Sequence, residues 1–122
     1  MSDVAECIAR LRESADELDA LSRKLHISEV ELEPTEREYR TFVDNFEVGL
    51  WKQHQDEGAK LPSEALRVKL AERAMPPELL GRYVGLVMAR KRVEKRIRDL
   101  RSTVDAQRSI LSALKVEAEA LR

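Results

Sequence analysis

The sequence predicts an all-α protein: a helical bundle with a long C-terminal coiled-coil helix. Ala, Leu, Glu, Lys and Arg dominate its 122 residues, 37% of the residues are charged and only 4% are aromatic. This composition is typical of long helices and coiled coils. The hydrophobic fraction of 43% is too high and too regularly spaced for a disordered chain. We therefore expect a single helical domain over residues 1–122 with a thin, aliphatic core.

The first predicted helix covers about residues 3–32. Apolar residues recur there at every seventh position: Val4, Leu11, Leu18, Leu25 and Leu32. This spacing is typical of a heptad seam. The seam weakens near residues 26–28, where we expect the helix to fray or break.

Proline and glycine residues predict where the next two helices begin and end. Pro34 suits the first turn of a new helix over about residues 35–57, and Gly58 is a natural C-terminal cap. Ser63 is placed to cap a short helix over 63–75. Pro76 and Pro77 end that helix, because the residue before a proline is pushed out of helical geometry.

The last predicted helix, over residues 77–121, carries a regular apolar seam. Its members follow in steps of four and three residues, apart from one interruption at Gln107: Val93, Ile97, Leu100, Val104, Leu111, Leu114, Ala118 and Leu121. A helix of about 45 residues is roughly 67 Å long, which a monomer this small cannot fully cover. The seam must pair with the N-terminal helix, with another subunit or with both, and we expect a homo-oligomer.

Charge is unevenly distributed along the chain. Residues 1–61 hold 15 acidic and 8 basic side chains, whereas residues 62–122 hold 8 acidic and 14 basic ones. This asymmetry predicts either docking of the acidic half on the basic half or a basic face for an anionic partner. For the docking, the expected acids of the first helix are Asp16, Glu17 and Asp19.

The sequence points to a cytoplasmic protein without enzymatic activity or a cofactor. Cys7 is the only cysteine, so no intramolecular disulfide forms, and no apolar run approaches the roughly 20 residues of a membrane span. The two histidines, His26 and His54, lack the spacing of metal ligands. No phosphate-binding loop or nucleophile motif is present, and Cys7 lies within the heptad seam as a structural residue.

A basic segment over residues 89–101 is the strongest local feature. It carries seven bases: Arg90, Lys91, Arg92, Lys95, Arg96, Arg98 and Arg101. They spread around the helix outside the stripe formed by Val93, Ile97 and Leu100. Two interpretations remain open: a solvated face that covers the seam and pairs with acids of the first helix, or a face that binds phosphates.

A second candidate site surrounds the only tryptophan. Trp51 lies beside Lys52 and His54 and is followed by Lys60. An aromatic ring with two bases near a loop is suited to stack on and clamp single-stranded nucleic acid. Alternatively, Trp51 anchors the end of the second helix in a subunit interface.

The order of these elements resembles that of small bacteriophage recombination mediators, the UvsY-like family. A leading acidic helix, an aromatic-bearing helix from Tyr39 to Gln55 that runs into a Gly/Lys loop, and a short helix from Ser63 come first. The long helix then contains the run from Arg98 to Ala113, which resembles the terminal segment of such proteins.

The resemblance implies a homo-oligomer that binds single-stranded DNA and helps a recombinase displace single-strand-binding protein, in the host cytoplasm if phage-encoded. It places DNA-binding bases near the end of the aromatic helix, where Lys52, His54 and Lys60 stand, whereas this chain has more bases in residues 90–101. The alternative is a coiled-coil adaptor, or a phage inhibitor of a host complex, that acts through protein contacts alone.

Overall fold

A computed structural model describes residues 3–121, which form three α-helices and no β-strand. Helix α1 covers Asp3–Glu57, α2 covers Glu64–Ala74 and α3 covers Pro77–Ala120. The predicted all-α class and the long C-terminal helix are confirmed. The longest helix is nevertheless α1, with 55 residues against 44 in α3.

Helix α1 continues through Pro34, so the predicted break between residues 32 and 35 is wrong. A proline inside a helix removes one backbone hydrogen bond and crowds the preceding turn, at a cost of about 3 kcal/mol. Two neighbours offset this cost by burial: Leu32 is 1% exposed and Thr35 is 6% exposed. Packing on both sides of Pro34 therefore holds a segment whose local sequence favours an interruption.

The other helix ends are explained by single residues at or next to them. Gly58, directly after α1, has a φ of 67°, a left-handed conformation that favours glycine. The hydroxyl oxygen of Ser63 accepts a hydrogen bond from the backbone N–H of Leu66 at 3.4 Å, which caps the start of α2. Pro77 then forms the first residue of α3.

The chain packs as two compact units, of which unit 1 combines Met1–Ile27 with Arg90–Arg122. In this unit the beginning of α1 lies antiparallel to α3, because Cys7 contacts Gln107 and Glu17 contacts Arg96. The Cys7 thiol donates a hydrogen bond to the Gln107 carbonyl oxygen at 3.3 Å. The buried apolar side chains of unit 1 are Cys7, Val93, Ile97, Leu100 and Val104.

Unit 2 is the continuous segment Ser28–Ala89. Its buried apolar side chains are Leu32, Ala71, Met75 and Leu79. The Arg67 guanidinium connects α2 to α1, since its Nε lies 3.2 Å from the Glu47 carboxylate, and its Nη1 donates to the Pro62 carbonyl oxygen at 2.8 Å. Across the same unit, the rings of Tyr39 and Tyr83 stack with centroids 3.9 Å apart.

Within residues 3–121, no helix has the combination of length and apolar content that crossing a membrane requires.

Candidate nucleic-acid interface

The buried seam of α3 determines which way the basic segment faces. Val93, Ile97 and Leu100 are buried in unit 1, where they pack toward α1. Since each helical residue is rotated by about 100° from the previous one, the bases between these positions are directed away from the seam. Arg90 is half-buried, whereas the six other bases of residues 90–101 are exposed.

Two of the seven bases form ion pairs with carboxylates of the same chain. The Nη2 of Arg96 donates to Glu17 Oε1 at 2.6 Å, and the Nε of Arg90 lies 3.4 Å from Glu94 Oε1. Pairing between the basic segment and an acid of the first helix is thus confirmed for Glu17. Neither Asp16 nor Asp19 forms an ion pair with any residue in the described range.

The five remaining bases are exposed and form no ion pair with residues 3–121: Lys91, Arg92, Lys95, Arg98 and Arg101. Lys91, Lys95 and Arg98 follow one another by four and three residues, so they share one face of α3, and Arg101 continues it by one turn. We call these four residues the basic face. It extends over about 15 Å of helix. Arg92 lies on the other side of α3 together with Arg96 and Asp99.

A groove of about 300 Å³ opens in unit 1 between α1 and the basic face. It is lined by Ser22, Leu25, Glu94, Ile97, Arg98 and Arg101. Ile97 is buried and Leu25 is half-buried, so the groove has an apolar floor, and two guanidinium groups of the basic face stand beside it. The groove therefore combines an apolar surface with a net positive charge, two guanidinium groups against the one carboxylate of Glu94.

The predicted tryptophan cluster is exposed at the end of α1. The Trp51 side chain is 46% exposed, and its ring meets the His54 ring edge-on with centroids 6.0 Å apart. The Nδ1 of His54 lies 2.6 Å from the Ala59 carbonyl oxygen, which links the helix end to the following loop. Lys52 and Lys60 are also exposed. This cluster belongs to unit 2, whereas the basic segment belongs to unit 1.

The predicted oligomer seam divides into a covered and an uncovered part. Val93, Ile97, Leu100 and Val104 are buried within the chain itself, so α1 already occupies this part. Leu111 and Leu114 are only half-buried, and Ala118 and Leu121 are exposed, the latter by 83%. Asp3, the first described residue of α1, lines the same cavity as Ile110 and Leu114, so α3 continues past the described start of α1.

Two features of unit 1 were not predicted from the sequence. Ile110 and Val116 add to the uncovered apolar surface, with exposed fractions of 55% and 67%, although neither belongs to the heptad pattern. The groove was missed because it requires Leu25 of α1 to lie beside Ile97 of α3. The available signal was that both residues belong to predicted seams, which must meet if the two helices pair.

Within the described part of the chain, no three His, Cys, Asp or Glu side chains come together in a way that could hold a metal ion. Comparisons with protein-family models, curated proteins and solved structures find no match for the chain. Surface geometry and charge therefore provide the basis for the DNA-binding part of the functional proposal.

Proposed function

We propose that this protein binds single-stranded DNA without sequence preference and acts as a phage-type recombination or replication accessory protein that assists recombinase loading. The observation that carries the DNA-binding part is the set of five exposed bases in residues 91–101 that form no ion pair with residues 3–121. The recombinase-loading part, with a recombinase or single-strand-binding protein as partner, follows from the resemblance to UvsY-like mediators.

Contact with phosphates accounts for the lack of sequence preference. The basic segment offers lysine and arginine but no asparagine or glutamine for reading base edges. Each neutralised phosphate of a single strand adds about −0.7 to the slope of log affinity against log salt, so five bases allow a slope of up to about −3.5 per chain.

A homo-oligomer would strengthen this binding, and the later part of the α3 seam supports one. Leu114, Val116 and Leu121 present apolar surface that no described residue of the chain fully covers. Burying this surface against another copy would be favourable by about 25 cal/mol per Å² of apolar area. Several basic faces on one strand would then bind more tightly than one alone, because the second contact becomes intramolecular.

The alternative function is a coiled-coil adaptor, or a phage inhibitor of a host complex, that acts only through protein contacts. The Arg96–Glu17 pair favours it, because it shows one base of the segment serving the fold rather than a ligand. The uncovered apolar surface near Leu121 is equally suited to a protein partner. Under this alternative the wild-type protein does not bind oligonucleotides.

Titration of a labelled single-stranded oligonucleotide, followed by fluorescence anisotropy at several salt concentrations, tests the proposal. Changing Lys91, Lys95 and Arg98 to Glu should abolish binding and leave helicity unchanged. A matched control changes Arg12, Lys24 and Arg108 to Glu, three exposed bases outside the segment, and alters the net charge equally. Equal loss in both variants would show that net charge rather than the basic face drives binding, and would overturn this location of the site. No wild-type binding in about 50 mM salt would favour the adaptor.

The tryptophan cluster is tested in the same titration. Trp51 is the only tryptophan of the chain and is exposed, so its fluorescence reports directly on this cluster. If DNA also contacts this cluster, its emission should be quenched on addition of oligonucleotide, and changing Lys52 and Lys60 to Ala should weaken binding. Unchanged emission during saturable binding would restrict the DNA site to α3.

A further inference from the structure

The groove beside the basic face has a composition that phosphate binding does not require. Arg98 and Arg101 stand at its edge, while Leu25 and the buried Ile97 form its floor. A phosphate is bound by the guanidinium or ammonium groups alone and gains nothing from aliphatic carbon beneath it. This apolar floor, which lies where the seams of α1 and α3 meet, suits a ligand that has an apolar surface as well as a negative charge nearby.

A nucleobase attached to a sugar-phosphate strand has this combination. Its flat face stacks on aromatic rings or on the guanidinium planes of arginine, and it contacts aliphatic carbon favourably. Polar groups at the groove are provided by the Ser22 hydroxyl and the Glu94 carboxylate. Because stacking is available to every base, such a site is tolerant of sequence.

A preference for single-stranded over duplex DNA follows from the same chemistry. In a duplex the bases are paired and stacked inside, so extruding one costs a few kcal/mol, whereas a single strand presents its bases freely. We infer that this groove receives an unpaired nucleobase, stacked against Arg98 and Arg101 over Leu25 and Ile97, and that it thereby makes the protein prefer single strands to duplex. The inference rests on the proposed function, because the base reaches the groove only when the strand lies on the basic face.

The test separates base contacts from phosphate contacts. Affinities are measured by anisotropy for three probes of equal length: a single-stranded oligonucleotide, the same strand with abasic sites throughout, and the duplex. Stacking of one base contributes about 1–3 kcal/mol, so wild type should bind the base-bearing strand about fivefold or more tightly than the abasic strand. Binding of the duplex should also be weaker.

Two variants test whether the preference for the base-bearing strand arises in this groove. Arg98→Lys with Arg101→Lys keeps the charge but removes both planar guanidinium groups, and it should bring the affinity for the base-bearing strand down toward that for the abasic strand. The matched control, Arg12→Lys with Arg108→Lys, changes two exposed arginines outside the groove and should keep the wild-type preference.

The outcomes distinguish this inference from the proposed function. Equal wild-type affinity for base-bearing and abasic strands would leave DNA binding intact but overturn the base site. A preference that survives in the Arg98→Lys, Arg101→Lys variant would also overturn it, because the bases would then bind elsewhere. Absence of binding to all three probes would refute DNA binding and the base site together.

Discussion

Arg96 of α3 and Glu17 of α1 are 79 positions apart in the chain, and their Nη2 and Oε1 atoms lie 2.6 Å apart. The Nε of Arg96 donates to the same oxygen at 3.2 Å. The two side chains are 58% and 43% exposed, so water screens the pair and limits its contribution to about 0.2–1 kcal/mol. The same pair competes with an external anion for one of the seven bases of residues 90–101.

Glu17→Gln should therefore strengthen DNA binding while hardly changing stability. Releasing Arg96 adds one available base, which should steepen the salt slope by about 0.7 if the strand reaches it. Glu13→Gln is the matched control, since Glu13 is exposed in the same part of α1 and forms no ion pair with residues 3–121. Anisotropy titrations of both variants measure the difference. Equal gains would indicate an effect of net charge alone.

Truncating the α3 seam should cost much more stability in its buried part than at its exposed end. Leu100→Ala removes a buried side chain of unit 1 and should lower the free energy of unfolding by about 2–5 kcal/mol. Leu121→Ala changes an exposed side chain and should cost less than about 0.5 kcal/mol in the monomer. Urea unfolding at low protein concentration measures both. A Leu121→Ala cost that grows with protein concentration would indicate that another copy covers this end.

Two glycines should respond to alanine with opposite signs. Gly58 adopts a φ of 67°, so Gly58→Ala should destabilise the protein by about 1–2 kcal/mol. Gly85 lies inside α3, and a Cβ there meets nothing within 4 Å, so Gly85→Ala should stabilise it by about 0.5–1 kcal/mol. Chemical denaturation compares both variants with wild type. A loss in Gly85→Ala would indicate that another molecule approaches this face of α3.

Stability should fall at alkaline pH because of Tyr39. Burial raises the pKa of this phenol above its ordinary value of 10.0, and the charges of Glu72 and Tyr83 raise it further. The phenol of the unfolded chain loses its proton near pH 10.0, while that of the folded chain retains it. The free energy of unfolding therefore holds its full value below this pH and falls as pH rises toward the folded pKa.

Tyr39→Phe removes this dependence. Between about pH 9 and pH 11, wild type should therefore lose more stability than the variant, as measured by urea unfolding at each pH. Parallel pH profiles for the two proteins would contradict this assignment.

Features set by neighbouring residues were predictable from the sequence. The cap at Gly58, the cap at Ser63 and the start of α3 at Pro77 each depend on the conformational preference or hydrogen bonding of a few adjacent residues. The continuity of α1 through Pro34 was not predictable in this way, because it goes with the burial of Leu32 and Thr35, and burial is a property of the folded chain.

The candidate site shows the same division. The sequence identifies all seven bases and the stripe of Val93, Ile97 and Leu100 that they surround. Which bases remain available depends on tertiary contacts, since only the structure brings Glu17 to Arg96. The heptad pattern likewise predicts that a seam must be covered, but it does not specify whether the same chain or another one covers it.

The discontinuity of unit 1 has a consequence for the order of folding. Its two segments, Met1–Ile27 and Arg90–Arg122, are separated in sequence by the whole of unit 2, whereas unit 2 is assembled from one uninterrupted stretch. Contacts between residues far apart in sequence require closure of a long loop, which costs entropy before the contacts stabilise the chain. Such contacts therefore form more slowly than local ones. We expect Ser28–Ala89 to acquire protection from hydrogen exchange first during refolding. The surface around Arg98 would then become organised only in the final step, when the two outer segments meet.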